Sequence, residues 1–160
     1  MTQDPDRDRP WLEQALALAV SNVSDGGGPF GAVVVRGGVL VASGQNRVTR
    51  DLDPTAHAEV QAIRAACRSL GAFSLAGCVL YASCEPCPLC LSASLWARLD
   101  RVVYCADRDD AARGGFDDRA FHELFATDRA SWSMPVQSLP LPSATAPFDA
   151  WLADGRRAGY

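Results

Sequence analysis

Two short segments hold the side chains able to do chemistry: Thr55-Ala56-His57-Ala58-Glu59 and, further along, Glu85-Pro86-Cys87-Pro88-Leu89-Cys90. Together they offer one imidazole, two thiols and, two residues from the imidazole, the Glu59 carboxylate. His57, Cys87 and Cys90 make a donor set for one zinc ion (Zn2+), which favours nitrogen and sulfur ligands. A structural zinc site is normally closed by four protein ligands. A three-ligand site leaves a position for water and lowers that water's pKa towards neutrality. Glu59 is then a carboxylate left off the metal, in the role of a proton carrier for hydrolysis. Two other readings stay open. Cys87 and Cys90 alone could form a redox pair, but His57-Ala58-Glu59 would then have no task. A non-catalytic zinc module would use the ligands and have no need of Glu59.

The elements around these segments follow from apolar spacing and turn residues. Pro10 is suited to open a helix on which Trp11, Leu12, Ala15, Leu16, Ala19 and Val20 recur at helical spacing, ended by the glycines at 26–28. The β-branched runs 30–35 and 39–43 flank Arg36-Gly37-Gly38 and predict a hairpin. Residues 45–54 read as a loop. Thr55 is the expected N-cap of a helix over 56–70, closed by Gly71. A strand over 78–82, a helix led by Pro86 and Pro88 to about residue 99, and a strand over 101–106 come next. Gly114-Gly115 breaks a polar stretch before a short helix over 119–125. Residues 136–146, with Pro140 and Pro142, read as an extended connector to a last helix over 148–156. His57 thus falls in the first turn of one helix, and Cys87 and Cys90 in the first turn of another. Helix N-termini favour thiolates there. Residues two apart on a helix diverge, so His57 and Glu59 converge only if the metal lies off the helix end. Alternating strands and helices predict an α/β fold, its sheet covered on both faces.

With 160 residues, the chain fits one domain over 1–160 that buries a core without staples. Residues 1–9, rich in Asp and Arg, are expected to be a polar tail and not a secretory signal. No apolar run is long enough to suggest a membrane span, and a cytoplasmic location is expected. The net charge is −4 and every basic side chain is an arginine, without a basic stripe. This favours a small-molecule substrate over a nucleic acid. Of the six cysteines, the four outside the zinc segment are expected to be buried small hydrophobes and not disulfides.

H-x-E followed by P-C-x-x-C is a general signature of zinc deaminases that act on nucleobases. From these residues outward the chain resembles the cytidine-deaminase-like superfamily, and within it the small bacterial guanine deaminases. The likeness takes in Pro29-Phe30-Gly31-Ala32-Val33, Gly44-Gln45-Asn46, Asp53 to Glu59, Ser83 to Cys90 and Trp96-Ala97-Arg98. It continues through Gly115-Phe116-Asp117-Asp118 and Pro147-Phe148-Asp149-Ala150-Trp151 to Tyr160. The resemblance implies a three-layer α/β/α fold with a mixed central sheet. It also implies hydrolysis of guanine to xanthine and ammonia. Siblings act on cytosine, guanosine, ammeline or, less in keeping with this acidic chain, tRNA adenosine. The implied roles are Glu59 as proton shuttle, Asn46 and the Ala58 backbone N–H on the purine edge, and Phe30 as a wall for the ring. Asp118 would bind the guanine amino or ring N–H groups, and Tyr160 would close over the site. The family further implies a homodimer in which the segment 136–160 exchanges between subunits. Leu52 and its neighbours depart from the pattern near the expected pocket.

Overall fold

A computed structural model of the chain describes residues 5–159. Helix α1 (Pro5–Ser24) leads into a hairpin of β1 (Gly31–Arg36) and β2 (Val39–Gln45), then a single helical turn α2 (Val48–Asp51) and helix α3 (Ala58–Leu70). Strand β3 (Cys78–Cys84), helix α4 (Pro88–Trp96) and strand β4 (Arg101–Ala106) complete the body. Beyond them lie short helices α5 (Arg108–Arg113) and α6 (Arg119–Phe125), a 3-10 turn at Arg129–Ser131 and helix α7 (Ala146–Ala153).

The four strands lie in the order β2-β1-β3-β4. β1 is antiparallel to both neighbours, and β3 and β4 are parallel. The sheet is therefore mixed, and two crossovers build it. β2–α3–β3 joins strands of like direction across the intervening β1, and β3–α4–β4 joins neighbours. The hairpin turns on Gly37 and Gly38, with φ of 58° and 81°, the pair of positive values a two-residue type I′ turn requires.

Period-two alternation sorts the central strands into two cores. Val33, Val35 and Tyr81 pack beneath α1 with Trp11, Leu12 and Leu18. Ala32, Val34 and Leu80 pack on the other face with Ala58, Ala62, Ile63 and Ala66 of α3. The result is three layers, helix on sheet on helix. Helix α3 lies close because Gly44 of β2 has no side chain; a Cβ there would come within 2.2 Å of the Ala58 carbonyl oxygen. That approach seats the first turn of α3, which carries His57 and Glu59, against the sheet end. No helix among the described residues is long and apolar enough to cross a membrane.

Several expectations are corrected. Residues 5–9 are not a tail but the start of α1, with Pro10 inside the helix. Asp8 is buried there, accepting from the Tyr81 hydroxyl at 2.8 Å and from two Arg101 nitrogens at 2.8 and 2.6 Å. Paired charge, invisible in a linear reading, is what holds this polar segment down. Residues 1–4 lie outside the described part. The N-cap of α3 is His57 and not Thr55. The Thr55 N–H and hydroxyl are both taken by the Asp53 carboxylate, at 2.8 and 2.7 Å, so they serve a local turn instead. Within the predicted loop 45–54 the chain forms α2, capped by Leu52 at a φ of 51°. Leu52 is exposed and does not line the site. All six cysteines are free, but only Cys78 and Cys84 of the four outside the zinc segment are buried; Cys67 is half-buried and Cys105 exposed.

Candidate active site

His57 and Cys87 occupy matching places: each is the N-cap of its helix, with extended backbone (φ −67°, ψ 152° and φ −64°, ψ 168°), and neither side chain caps its helix. The first residues of α3 and α4 thereby release an imidazole and a thiol towards one point. Pro88, in the first turn of α4, needs no N–H partner and fixes the exit of the chain from Cys87. One turn on, Cys90 adds the third donor. His57 Nδ1 stands 3.5 Å from Cys87 Sγ and 3.4 Å from Cys90 Sγ, and the two sulfurs are 3.6 Å apart. Zinc–sulfur and zinc–nitrogen bonds in a tetrahedron space sulfurs by about 3.8 Å and sulfur and nitrogen by about 3.6 Å. The three donors are thus already at the spacing zinc demands, and the set fits that ion.

Electrostatics point the same way. Cys90 is fully buried, and Glu59 is buried beside it. Burial holds the Glu59 carboxyl above its usual range, opposed by its own backbone N–H and by the Cys90 thiol. The Cys87 thiol is brought down to about 4 by the hydrogen bond from Cys90 and by His57, while Cys90 is pushed up by that same pairing and by burial. His57 is raised, chiefly by its bond to Cys87. Two sulfurs and a carboxyl group so enclosed, with one imidazole against the sulfurs, are a donor set whose chemistry suits a divalent cation.

His57, Glu59 and Cys87 open on a cavity of about 480 Å³. Its walls include Phe30, Asn46, Phe116, Asp117, Asp118 and the glycines at 26–28. Phe30 meets Phe116 edge to face, with ring centroids 5.1 Å apart. The Asn46 side-chain oxygen accepts the Val48 N–H at 3.2 Å. Asp118 precedes α6 without capping it. One of its oxygens, Oδ1, is buried with no hydrogen-bond partner among the described residues, and the other lies 3.4 Å from His122 Nε2. Hence Phe30, Asn46 and Asp118 share one cavity with His57, Cys87 and Glu59. Ala58 is the first residue of α3, its side chain buried in the core and away from the cavity wall. Only its N–H, which has no partner inside the helix, could face a ligand. Tyr160 lies outside the described residues.

Other wall residues were not singled out in the sequence. Cys84 lines the cavity but is no part of the donor cluster, and burial pushes its thiol up to about 11. The Glu85 carboxylate is held low by Arg108, whose Nε donates to it at 2.9 Å. Phe116 and Asp117 belong to the Gly-Phe-Asp-Asp run, and the helix stop expected at glycines 26–28 does double service as cavity wall. Three glycines in a row before a strand are the signal that could have marked that loop.

Residues 5–106 match the cytidine and deoxycytidylate deaminase zinc-binding region. The chain belongs to that family of zinc deaminases. It is 49% identical to the guanine deaminase of Bacillus subtilis over 142 residues, 88% of this chain and 91% of that protein. A crystal structure of guanine deaminase from Bacillus subtilis matches with a TM-score of 0.90 and 46% identity, covering 95% of this chain and 98% of that one. Two further likenesses are narrower. A tRNA-specific adenosine deaminase of Aquifex aeolicus is 40% identical over 96 residues, 60% of this chain and 64% of that protein. A structure of guanine deaminase from Nitrosomonas europaea has a TM-score of 0.64 at 35% identity, covering 67% of this chain and 63% of that one. The shared zinc region stops at residue 106. With 95% of this chain covered, the Bacillus likeness extends well past that residue, into the part that holds Asp118 and the C-terminal segment.

Proposed function

We propose that this chain hydrolyses guanine to xanthine and ammonia. The observation that carries the reading is the likeness to Bacillus subtilis guanine deaminase over nearly the whole length of both proteins, well beyond the zinc-binding region matched at residues 5–106. His57, Cys87 and Cys90 would hold the zinc ion, which when bound would supply the Lewis acidity that lowers the pKa of water. In the reaction a carbon–oxygen bond forms from water at the ring carbon that bears the amino group. The carbon–nitrogen bond breaks and ammonia leaves. Glu59 takes one proton from the attacking water and gives it to the ring nitrogen, then takes the second from the newly formed hydroxyl and gives it to the departing amine as the carbonyl forms. Its burial, which favours the protonated form, suits it to hold a proton between these steps.

The remaining side chains place the purine. Phe30 walls the ring, braced by Phe116. With its oxygen engaged by Val48, Asn46 offers its amide NH₂ to the purine edge, and the Ala58 N–H meets a substrate carbonyl. The unpartnered Asp118 Oδ1 accepts from the guanine amino or ring N–H groups, which supplies what that buried oxygen lacks. The chain is one deaminase domain over 1–160, with a connector and lid at 136–160, and it works in the cytoplasm as a homodimer that exchanges this segment. Support for the exchange is that α7 is exposed along its whole length, with Phe148 and Leu152 more than 60% accessible. An eight-residue helix does not hold itself in water, so this one needs a surface to dock on.

Ammonia release by zinc-loaded protein tests the reading on guanine, guanosine, cytosine, cytidine, adenine and ammeline. Guanine is expected to be strongly preferred. Turnover of another member with guanine inert would move the chain to a sibling activity.

A further inference from the structure

We propose that Asn22, on the last turn of α1 and outside the cavity, is a positioning residue that sets the affinity for the purine. The proposal rests on the reading that Asn46 and the glycine loop face the substrate. Asn22 is completely buried. Its side-chain nitrogen donates to the Gly28 carbonyl and to the Asn46 carbonyl, both at 2.7 Å. Its side-chain oxygen accepts from Arg50 Nη2 at 2.5 Å. Its own carbonyl accepts the Gly27 N–H at 2.8 Å.

One amide thus ties together the glycine loop, the start of the segment after β2, and helix α2. Gly27, Gly28, Asn46 and Val48 of these pieces are cavity wall. Among the described residues the two pieces also meet through Phe30, whose N–H goes to Gly28 and whose carbonyl takes the Asn46 N–H, and through Thr49, whose hydroxyl donates to the Gly26 carbonyl at 3.3 Å. None of these bonds reaches His57, Cys87, Cys90 or Glu59. Loss of the Asn22 amide should therefore loosen the wall that grips the base and leave the reacting groups in place. Such a change removes binding common to ground and transition states, which shows in KM and not in kcat.

Asn22→Asp is the sharpest variant. It keeps the size of the side chain and the acceptor for Arg50, but replaces both donors with a carboxylate facing two carbonyls. KM for guanine is expected to rise about tenfold, with kcat within about twofold and zinc content unchanged. Affinity for the product xanthine, measured by calorimetry, should fall by the same factor. Arg50→Ala removes only the third bond and should shift KM the same way by less. Unchanged KM in Asn22→Asp, or a fall in kcat at unchanged KM, overturns the proposal. If Asn22→Asp does not fold, an unchanged KM in Arg50→Ala does so. A wild type inert on guanine but active on another heterocycle overturns the guanine reading alone, and the KM comparison is then made on that substrate.

Discussion

His57 and Cys87 are N-caps that cap nothing, and this is how two helix ends become a metal site. At most helix starts an N-cap side chain turns back to its own N–H groups; here both turn forward to each other and to Cys90. His57 lies outside the helix proper, so Glu59, two residues on, need not diverge from it as it would on a continuous helix. Both line one cavity. Glu59→Ala is expected to keep its zinc and its fold while ammonia release falls by roughly 10²- to 10⁴-fold. Metal analysis and a turnover assay check this, and an enzyme that kept most of its rate would remove the shuttle role. The donors and Glu59 were legible because their types and short spacings are themselves the chemistry. Asn22 was not, because an asparagine at the end of a helix matters only through Gly28, Asn46 and Arg50, which are near it in space and mostly far from it in sequence.

At the scale of elements, apolar periodicity located the strands and most helices, since burial on the two faces of one sheet imposes it. What it missed was settled by single bonds between polar groups. The start of α1 depends on Asp8, and α5 depends on Asp107, which accepts from the N–H groups of Asp109 and Asp110 in a capping box. The end of α4 turns on Arg98 at a φ of 60°, where the Leu99 N–H reaches the Ser94 carbonyl and a glycine would be the expected signal. Asp8 ties α1 to β3 and β4, and the bond from Arg101 holds its carboxyl below the usual range. A carboxylate with a lowered folded-state pKa adds stability that is full above its unfolded value, near 3.9, and is lost as pH falls through the folded value. Asp8→Asn should therefore cost about 2 kcal/mol at pH 7, in the range of hydrogen bonds to charged groups. The gap between wild type and variant should close as the pH drops below 4. Urea unfolding at several pH values measures it, and a gap independent of pH would show that the carboxylate's charge is not what secures α1.

The whole molecule raises a different question, because much of its apolar surface is uncovered. Leu95 and Trp96 on α4 are 75% and 65% exposed, and Phe121 and Phe125 on α6 are also exposed. The C-terminal segment offers apolar residues of its own on α7 with no buried position among them. In the exchanged homodimer proposed above, one chain's arm would cover its partner's cavity. Little of this was legible in the sequence: Pro140 and Pro142 mark an extended reach, but where an arm docks depends on a surface that forms only after folding. A complementation experiment decides it. A chain cut after residue 135 keeps His57, Cys87, Cys90 and Glu59 but lacks its lid, and it should lose most of its guanine turnover while still binding zinc. Full-length Glu59→Ala has a lid and an idle site. If arms cross, unfolding and refolding the two together at equal amounts forms heterodimers in which the working site of the cut chain lies under the arm of the other. Random pairing then restores about a quarter of all sites. If each arm covers its own site, the mixture stays as inactive as its parts, because the intact arm and the intact Glu59 are never on the same chain.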